Sequence, residues 1–197
     1  MNRSIYLVRH GKIDAGQEKR YIGVTDLPLS AEGIIQAQKL KKFFYSINIE
    51  KAYVSPLMRC IQTADIIFKN RDIERVLVKE FTEINMGQWE GKTFKYIKNF
   101  FPEQFKKRGE NIDTFVPTGG ESFHQLRDRV IPIYKNIVKN SLGNIIIISH
   151  AGVNRIILSN LLSIPIKNIF QIDQQYGCID EIYYDNEYKN HQLKILR

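Results

Sequence analysis

The sequence predicts an α/β fold, a sheet with helices packed on its faces, and three observations carry that prediction. Short β-branched apolar runs alternate with longer stretches of helical spacing. Chemically capable polar residues stand directly after several of the runs. At 197 residues the chain suits one domain with a sizeable core and room for an inserted subregion.

The elements follow in order. A first strand, Ile5–Val8, runs into Arg9, His10, Gly11 and Lys12. Ser30 is placed to cap a helix over Ala31–Phe44. A second strand, Ala52–Val54, ends at Ser55 and Pro56, and the helix predicted over Met58–Phe68 carries Arg59. A third, Val76–Val78, precedes Glu80 and Glu83. The segment Gly91–Gly120 mixes aromatic and basic residues with Pro102 and Pro117 and keeps no clean period, so it reads as an insertion covering one end of the sheet. The helical pattern over Ser122–Lys139 contains Pro132, which predicts a kink or two separate pieces. A fourth strand, Ile145–Ile148, leads to Ser149 and His150, then to a helix over Val153–Leu162. Gly177–Tyr184 and Gln192–Leu196 read as a closing pair of strands around the turn "DNEYKN".

Apolar residues at 43% and charged residues at 25% match ordinary globular usage, which argues against disordered and fibrous classes. The N-terminus lacks a signal-peptide core and no apolar run is long enough to span a bilayer, so a cytoplasmic protein with no membrane partner is expected. Cys60 and Cys178 form no C-x-x-C pair, so they suggest neither a disulfide framework nor a zinc site and read as small buried hydrophobes. The net charge of +8 would attract polyanions, but the lysines and arginines are dispersed. Their densest cluster, "FKKRG" at Phe105–Gly109, reads as a solvated face, and no nucleic-acid partner is expected.

Several chemistries fail on motif grounds. Gly11-Lys12 lacks the leading glycine and following Ser or Thr of a phosphate-binding Walker loop, and no G-x-S-x-G elbow occurs. Neither cysteine heads a phosphate-binding loop with an arginine at the required spacing, and no H-E-x-x-H or EF-hand pattern is present. No metal or other cofactor is expected.

What remains is a coincidence repeated at strand ends. Arg9 and His10, Ser55 and Arg59, Glu83, and Ser149 and His150 all follow apolar runs. In a sheet of parallel strands those ends converge on one crevice. Two arginines offer planar donor forks for phosphoryl oxygens, a histidine serves as nucleophile or proton carrier, and a rim glutamate can protonate a leaving oxygen. Arginines beside His10 would also keep it neutral, as an attacking imidazole must be. His124, in a helical pattern, and His191, in a polar turn, have no such setting and read as structural.

The stretches "LVRHG" (Leu7–Gly11), "YIGVTDLPLSAEGIIQAQ" (Tyr21–Gln38), "VSPLMRCIQTA" (Val54–Ala64), "EINMGQWEG" (Glu83–Gly91), "PTGGES" (Pro117–Ser122) and "ISHAGVNR" (Ile148–Arg155) resemble, in order, the histidine phosphatase superfamily, the phosphoglycerate mutase-like fold. The resemblance spans almost the whole chain. It implies one domain over residues 1–197, a three-layer α/β/α arrangement with a mostly parallel central sheet and the insertion at about 91–120 over the active site.

It also implies that His10 becomes phosphohistidine, that Arg9, Arg59 and His150 hold the phosphoryl oxygens, and that Glu83 is the proton donor. The backbone N–H of Ala151 would face the phosphate and Gly23 would line the substrate side. Lys12 departs from the family's usual Glu or Gln; it supplies an alternative cationic contact or is a solvated lysine. The implied activity is metal-independent hydrolysis of a small phosphorylated metabolite. The "GQWEG" and "PTGGES" patterns resemble the α-ribazole phosphatase branch, which points to α-ribazole 5′-phosphate. A mutase-type phosphotransferase and a phosphorylated-ligand sensor are the alternatives, and a homodimer stays open.

Overall fold

Strand β1 (Arg3–Arg9) is buried at its five central positions, as expected of a strand covered on both faces. A computed structural model describes residues 3–185 and 190–196. Its elements continue with α1 (Ala31–Phe44), β2 (Lys51–Val54), α2 (Met58–Ile67), β3 (Glu74–Leu77), α3 (Phe94–Phe100), α4 (Pro102–Glu110), α5 (Phe123–Asn140), β4 (Ile145–Ser149), α6 (Ala151–Leu161), β5 (Ile179–Asp185) and β6 (Asn190–Leu196). The strands form one six-stranded sheet in the order β3-β2-β4-β1-β5-β6. The first four are mutually parallel, and β5 and β6 run antiparallel at one edge.

Alternation of side chains along each strand separates two cores. On one face Ile5, Leu7, Ile145 and Ile147 pack with Leu126, Val130 and Tyr134 of α5 and Val153, Ile156 and Ile157 of α6. On the other, Tyr6, Val8, Ala52, Val54, Ile146 and Ile148 pack with Leu40 and Phe44 of α1 and Cys60, Ala64 and Ile67 of α2. The layers are therefore α/β/α. A third cluster, built on Tyr21, Met86, Trp89 and Ile97, sits apart and ties the chain around residue 90 to the loop before α1.

The structure alters some expected elements. Helix α5 is a single element of 18 residues despite Pro132. Pro132 and Asp128 both lie on its exposed face, so the carbonyl that loses its N–H partner is turned to water. The aperiodic segment 91–120 holds two short helices, α3 and α4, broken at Phe101 by Pro102, which opens α4 at its first turn. Arg108 in "FKKRG" is half-buried over the rings of Tyr21 and Phe170, while Lys106 and Lys107 are exposed. His191 lies in β6, paired with Tyr184, and not in a turn. The turn itself, expected over 185–190, falls largely outside the described residues. Among the described residues no helix is long and apolar enough to cross a membrane.

Candidate active site

Strand register brings the reactive positions side by side. Val8 and Val54 both pair with Ile148, and Arg9 pairs with Ser149. The His10 N–H donates to the Ser149 carbonyl at 3.1 Å and the Ser55 N–H to the Ile148 carbonyl at 3.0 Å. Arg9–His10, Ser55 and Ser149–His150 therefore leave the sheet at one level. They open on a cleft of about 440 Å³ walled by Arg9, His10, Arg59, Glu83, Arg155 and Tyr176. A larger hollow between α1 and α2, lined by Gln38, Lys41, Lys42, Tyr45, Asp65, Ile66 and Lys69, carries none of these groups.

His10 is 3% exposed, and its Nδ1 lies 2.7 Å from the Gly11 carbonyl. A carbonyl only accepts, so Nδ1 carries the proton and Nε2 keeps its lone pair. Burial, reinforced by Arg9 and then Arg59, holds this imidazole well below the ordinary histidine range. It is neutral and oriented.

The two arginines are held by neutral acceptors. Arg9 Nη1 donates to the Gln174 carbonyl at 2.5 Å, its guanidinium lies 3.7 Å above the Tyr176 ring, and its buried Nε has no protein partner. Gln174 is fixed in turn by Asn154, which donates to its Oε1 at 2.9 Å, and by Asp180, which accepts from its Nε2 at 2.6 Å. Arg59 is 1% exposed; Nη1 donates to the Thr25 carbonyl at 2.8 Å, Nη2 to the Gly23 carbonyl at 2.7 Å and Nε to His150 Nδ1 at 3.2 Å. No carboxylate takes part in these bonds, so both charges remain available to an anion.

His150 is fully buried, its ring 5.1 Å from that of His10. Burial, then Arg59, His10 and Arg9, push it well below its ordinary range. Its Nδ1 accepts from Arg59, so in the neutral ring Nε2 donates to Ser55 Oγ at 2.7 Å. Glu83 is 8% exposed; Oε1 accepts from the Ile84 N–H at 2.8 Å and Oε2 from the Gly152 N–H at 3.0 Å. Gly152 is the second residue of α6, and a Cβ there would lie 2.3 Å from Glu83 Oε1. Ala151 opens α6 in the cleft wall; no side chain caps that helix, so its positive end adds to the field of the arginines.

The remaining expected residues lie further from the centre. Lys12 reaches the cleft wall, but its Nζ pairs with Glu32 at 2.5 Å, both side chains being exposed. Gly23 stands behind Arg59 as its carbonyl acceptor. His124 sits elsewhere, 3.9 Å from Asp113. Cys60 is buried against His150, and burial pushes its thiol far up; Cys178 is half-buried and pushed up to about 11. Among the described residues no cluster of three or more His, Cys, Asp or Glu could hold a metal ion.

Sequence reading missed Ser55 as the partner of His150, and Gln174 and Tyr176 as the support of Arg9. The last two precede β5, which runs against β1. It is therefore the start of that strand, not its end, that faces the cleft, and a rule looking only beyond strand ends passes over it.

The family model for the histidine phosphatase superfamily (branch 1) matches residues 5–194. The chain belongs to that superfamily. Among the relatives of this histidine phosphatase, the adenosylcobalamin/alpha-ribazole phosphatase of Escherichia coli (strain K12) is 26% identical over 175 residues, covering 88% of this chain and 86% of the relative. Phosphoserine phosphatase 1 of Hydrogenobacter thermophilus is 26% identical over 180 residues, covering 91% and 83%. Among solved structures, the alpha-ribazole phosphatase of Shigella flexneri superposes with a TM-score of 0.90 at 26% identity, covering 98% of this chain and 95% of that one. Bacillus stearothermophilus YhfR gives 0.89 at 25% identity, covering 98% and 96%.

Proposed function

We propose that this histidine phosphatase hydrolyses a small phosphomonoester through a phosphohistidine at His10. The observation that carries the reading is the bond from His10 Nδ1 to the Gly11 carbonyl, which leaves Nε2 as a neutral, oriented nucleophile at the floor of a cationic cleft. Arg9 and Arg59 hold the phosphoryl oxygens, one of which satisfies the buried Nε of Arg9, and the Ala151 N–H adds a donor. His150 joins them once a phosphoryl oxygen takes over the Arg59 Nε–H that its Nδ1 otherwise accepts: the ring proton then sits on Nδ1 and faces the phosphoryl group, while the Ser55 hydroxyl donates to Nε2.

Two in-line steps complete the reaction. Nε2 attacks phosphorus as the P–O bond to the alcohol breaks, and protonated Glu83 gives its proton to the departing oxygen. Water then attacks the phosphohistidine, Glu83 takes its proton, and phosphate leaves with His10 restored. The arginines supply the charge stabilisation that a metal ion supplies in kinases, so no metal enters the cycle. The segment 91–120, which brings Phe94 to the cleft wall, covers the leaving-group side within a single domain over residues 1–197.

For the leaving group we favour α-ribazole, supported by near full-length similarity to enzymes named for it. The phosphoserine phosphatase of similar identity makes phosphoserine the comparison to beat. The test is phosphate release in EDTA from α-ribazole 5′-phosphate, phosphoserine, 3-phosphoglycerate, sugar phosphates and p-nitrophenyl phosphate, with wild type beside His10→Ala. We expect release that His10→Ala abolishes, fastest with α-ribazole 5′-phosphate. Preference for phosphoserine would reassign the substrate, and release surviving in His10→Ala would overturn the mechanism.

A further inference from the structure

Glu90 lies outside the cleft wall, yet its carboxylate accepts five hydrogen bonds. Its Oε2 accepts from the Gly23 N–H at 3.1 Å, the Thr25 N–H at 3.2 Å and Thr25 Oγ1 at 2.5 Å, and its Oε1 accepts from the Val24 N–H at 2.9 Å and the Met86 N–H at 2.9 Å. Four of these five donors belong to the loop Gly23–Thr25. The carbonyls of Gly23 and Thr25 are the acceptors that hold the two terminal nitrogens of Arg59.

One peptide unit joins both systems. The Gly23 carbonyl and the Val24 N–H belong to the same rigid plane; its oxygen faces the Arg59 cation and its hydrogen the Glu90 anion. The peptide dipole is thereby aligned with a charge of the favourable sign at each end. Gly23 also has no space for a side chain, since a Cβ would lie 2.0 Å from the Ile84 carbonyl oxygen and 2.4 Å from Glu90 Oε1. The loop is pressed onto the carboxylate.

We propose that Glu90 is a positioning residue for phosphoryl binding: it fixes the Gly23–Thr25 loop, and the loop carbonyls fix the buried guanidinium of Arg59. Arg59 has no carboxylate of its own, so its aim depends on this loop. The proposal rests on the phosphohistidine reading of the site and extends it to a residue that touches neither substrate nor His10.

The test compares Glu90→Gln and Thr25→Val with Ile97→Ala, a fully buried position of the neighbouring aromatic cluster outside the Glu90–loop–Arg59 chain. Each variant is measured for melting temperature, for p-nitrophenyl phosphate turnover and for inhibition by orthovanadate, which probes the phosphoryl pocket without a leaving group. Glu90→Gln replaces acceptor lone pairs with an NH₂ among N–H donors, so kcat/KM and orthovanadate affinity should both fall, about 10- to 100-fold as for partners that orient a contact group. Thr25→Val keeps the loop backbone, removes one of the five donors and should shift both in the same direction by less. Ile97→Ala, in the segment over the leaving-group side, should lower the melting temperature while leaving orthovanadate affinity within about threefold of wild type, well short of that orienting-partner loss.

The proposal is overturned if Glu90→Gln and Thr25→Val leave orthovanadate affinity unchanged. It is also overturned if Ile97→Ala loses as much affinity as Glu90→Gln at an equal drop in melting temperature. A wild type that neither turns over nor binds orthovanadate would overturn the phosphatase reading itself, a different outcome from either.

Discussion

At the scale of the residue, the site sorts its titratable groups by what each nitrogen or oxygen touches. His10 is held by a bond to the carbonyl of the next residue, whereas Glu83 is aimed by two backbone N–H groups, one from its own segment and one from α6. If Glu83 protonates the departing oxygen, its removal should matter in proportion to how badly that oxygen needs a proton. Glu83→Gln should slow an alkyl phosphate such as phosphoserine by about 10²- to 10⁴-fold, the usual worth of general acid catalysis, and p-nitrophenyl phosphate far less in its phosphorylation step. Single-turnover kinetics with both substrates measures this, and equal losses would remove Glu83 from the acid role.

At the scale of the element, the site is built at the junctions where strands give way to loops and helices. Helix α6 shows the principle most directly, because its second residue is a glycine whose missing Cβ makes room for Glu83. Gly152→Ala should therefore set stability against activity. Alanine improves helix propensity by up to about 1 kcal/mol, yet its methyl displaces the carboxylate. A melting temperature that holds or rises, with kcat reduced at least about tenfold through loss of orientation, is the expected pair of results. Undiminished kcat would show that Glu83 tolerates another position.

The same junctions explain what was legible in the chain. Ile5–Val8 and Ile145–Ile148 are continuous apolar runs because their strands are buried on both faces, and Ala52–Val54 keeps the run with a half-buried Tyr53 on its second face, so their ends, and with them Arg9, His10, Ser55 and His150, could be located by inspection. β3 is a sheet edge with largely exposed side chains, and its predicted span, Val76–Val78, missed the first two residues. Glu90 was illegible for another reason. Three of its five donors are backbone N–H groups more than 60 residues earlier and a fourth is the Met86 N–H, and a backbone donor leaves no mark in residue type.

At the scale of the whole molecule, two buried neutral histidines couple the site to stability. In the unfolded chain both return to the ordinary value of 6.5, while in the fold both lie well below it. Below about pH 6.5 the unfolded state therefore binds protons that the folded state refuses, and stability falls with pH through that window; above it the contribution is fully present. Each histidine adds a slope of up to about 1.4 kcal/mol per pH unit. Melting temperatures from pH 8 to 5 should drop less steeply for His10→Asn than for wild type, and identical slopes would mean that His10 charges without unfolding.

The sheet order has a consequence for how such a molecule comes to exist. β1 and β2 never touch; each pairs with β4, which arrives more than 90 residues after the later of them. β4 fills the gap between β1 and β2, so without it one edge of each of those strands has no partner. The strand that fills the gap also delivers His150. A nascent or truncated chain is thus left without the sheet and without the pocket at once, and phosphate chemistry begins only in a molecule whose central strand is home.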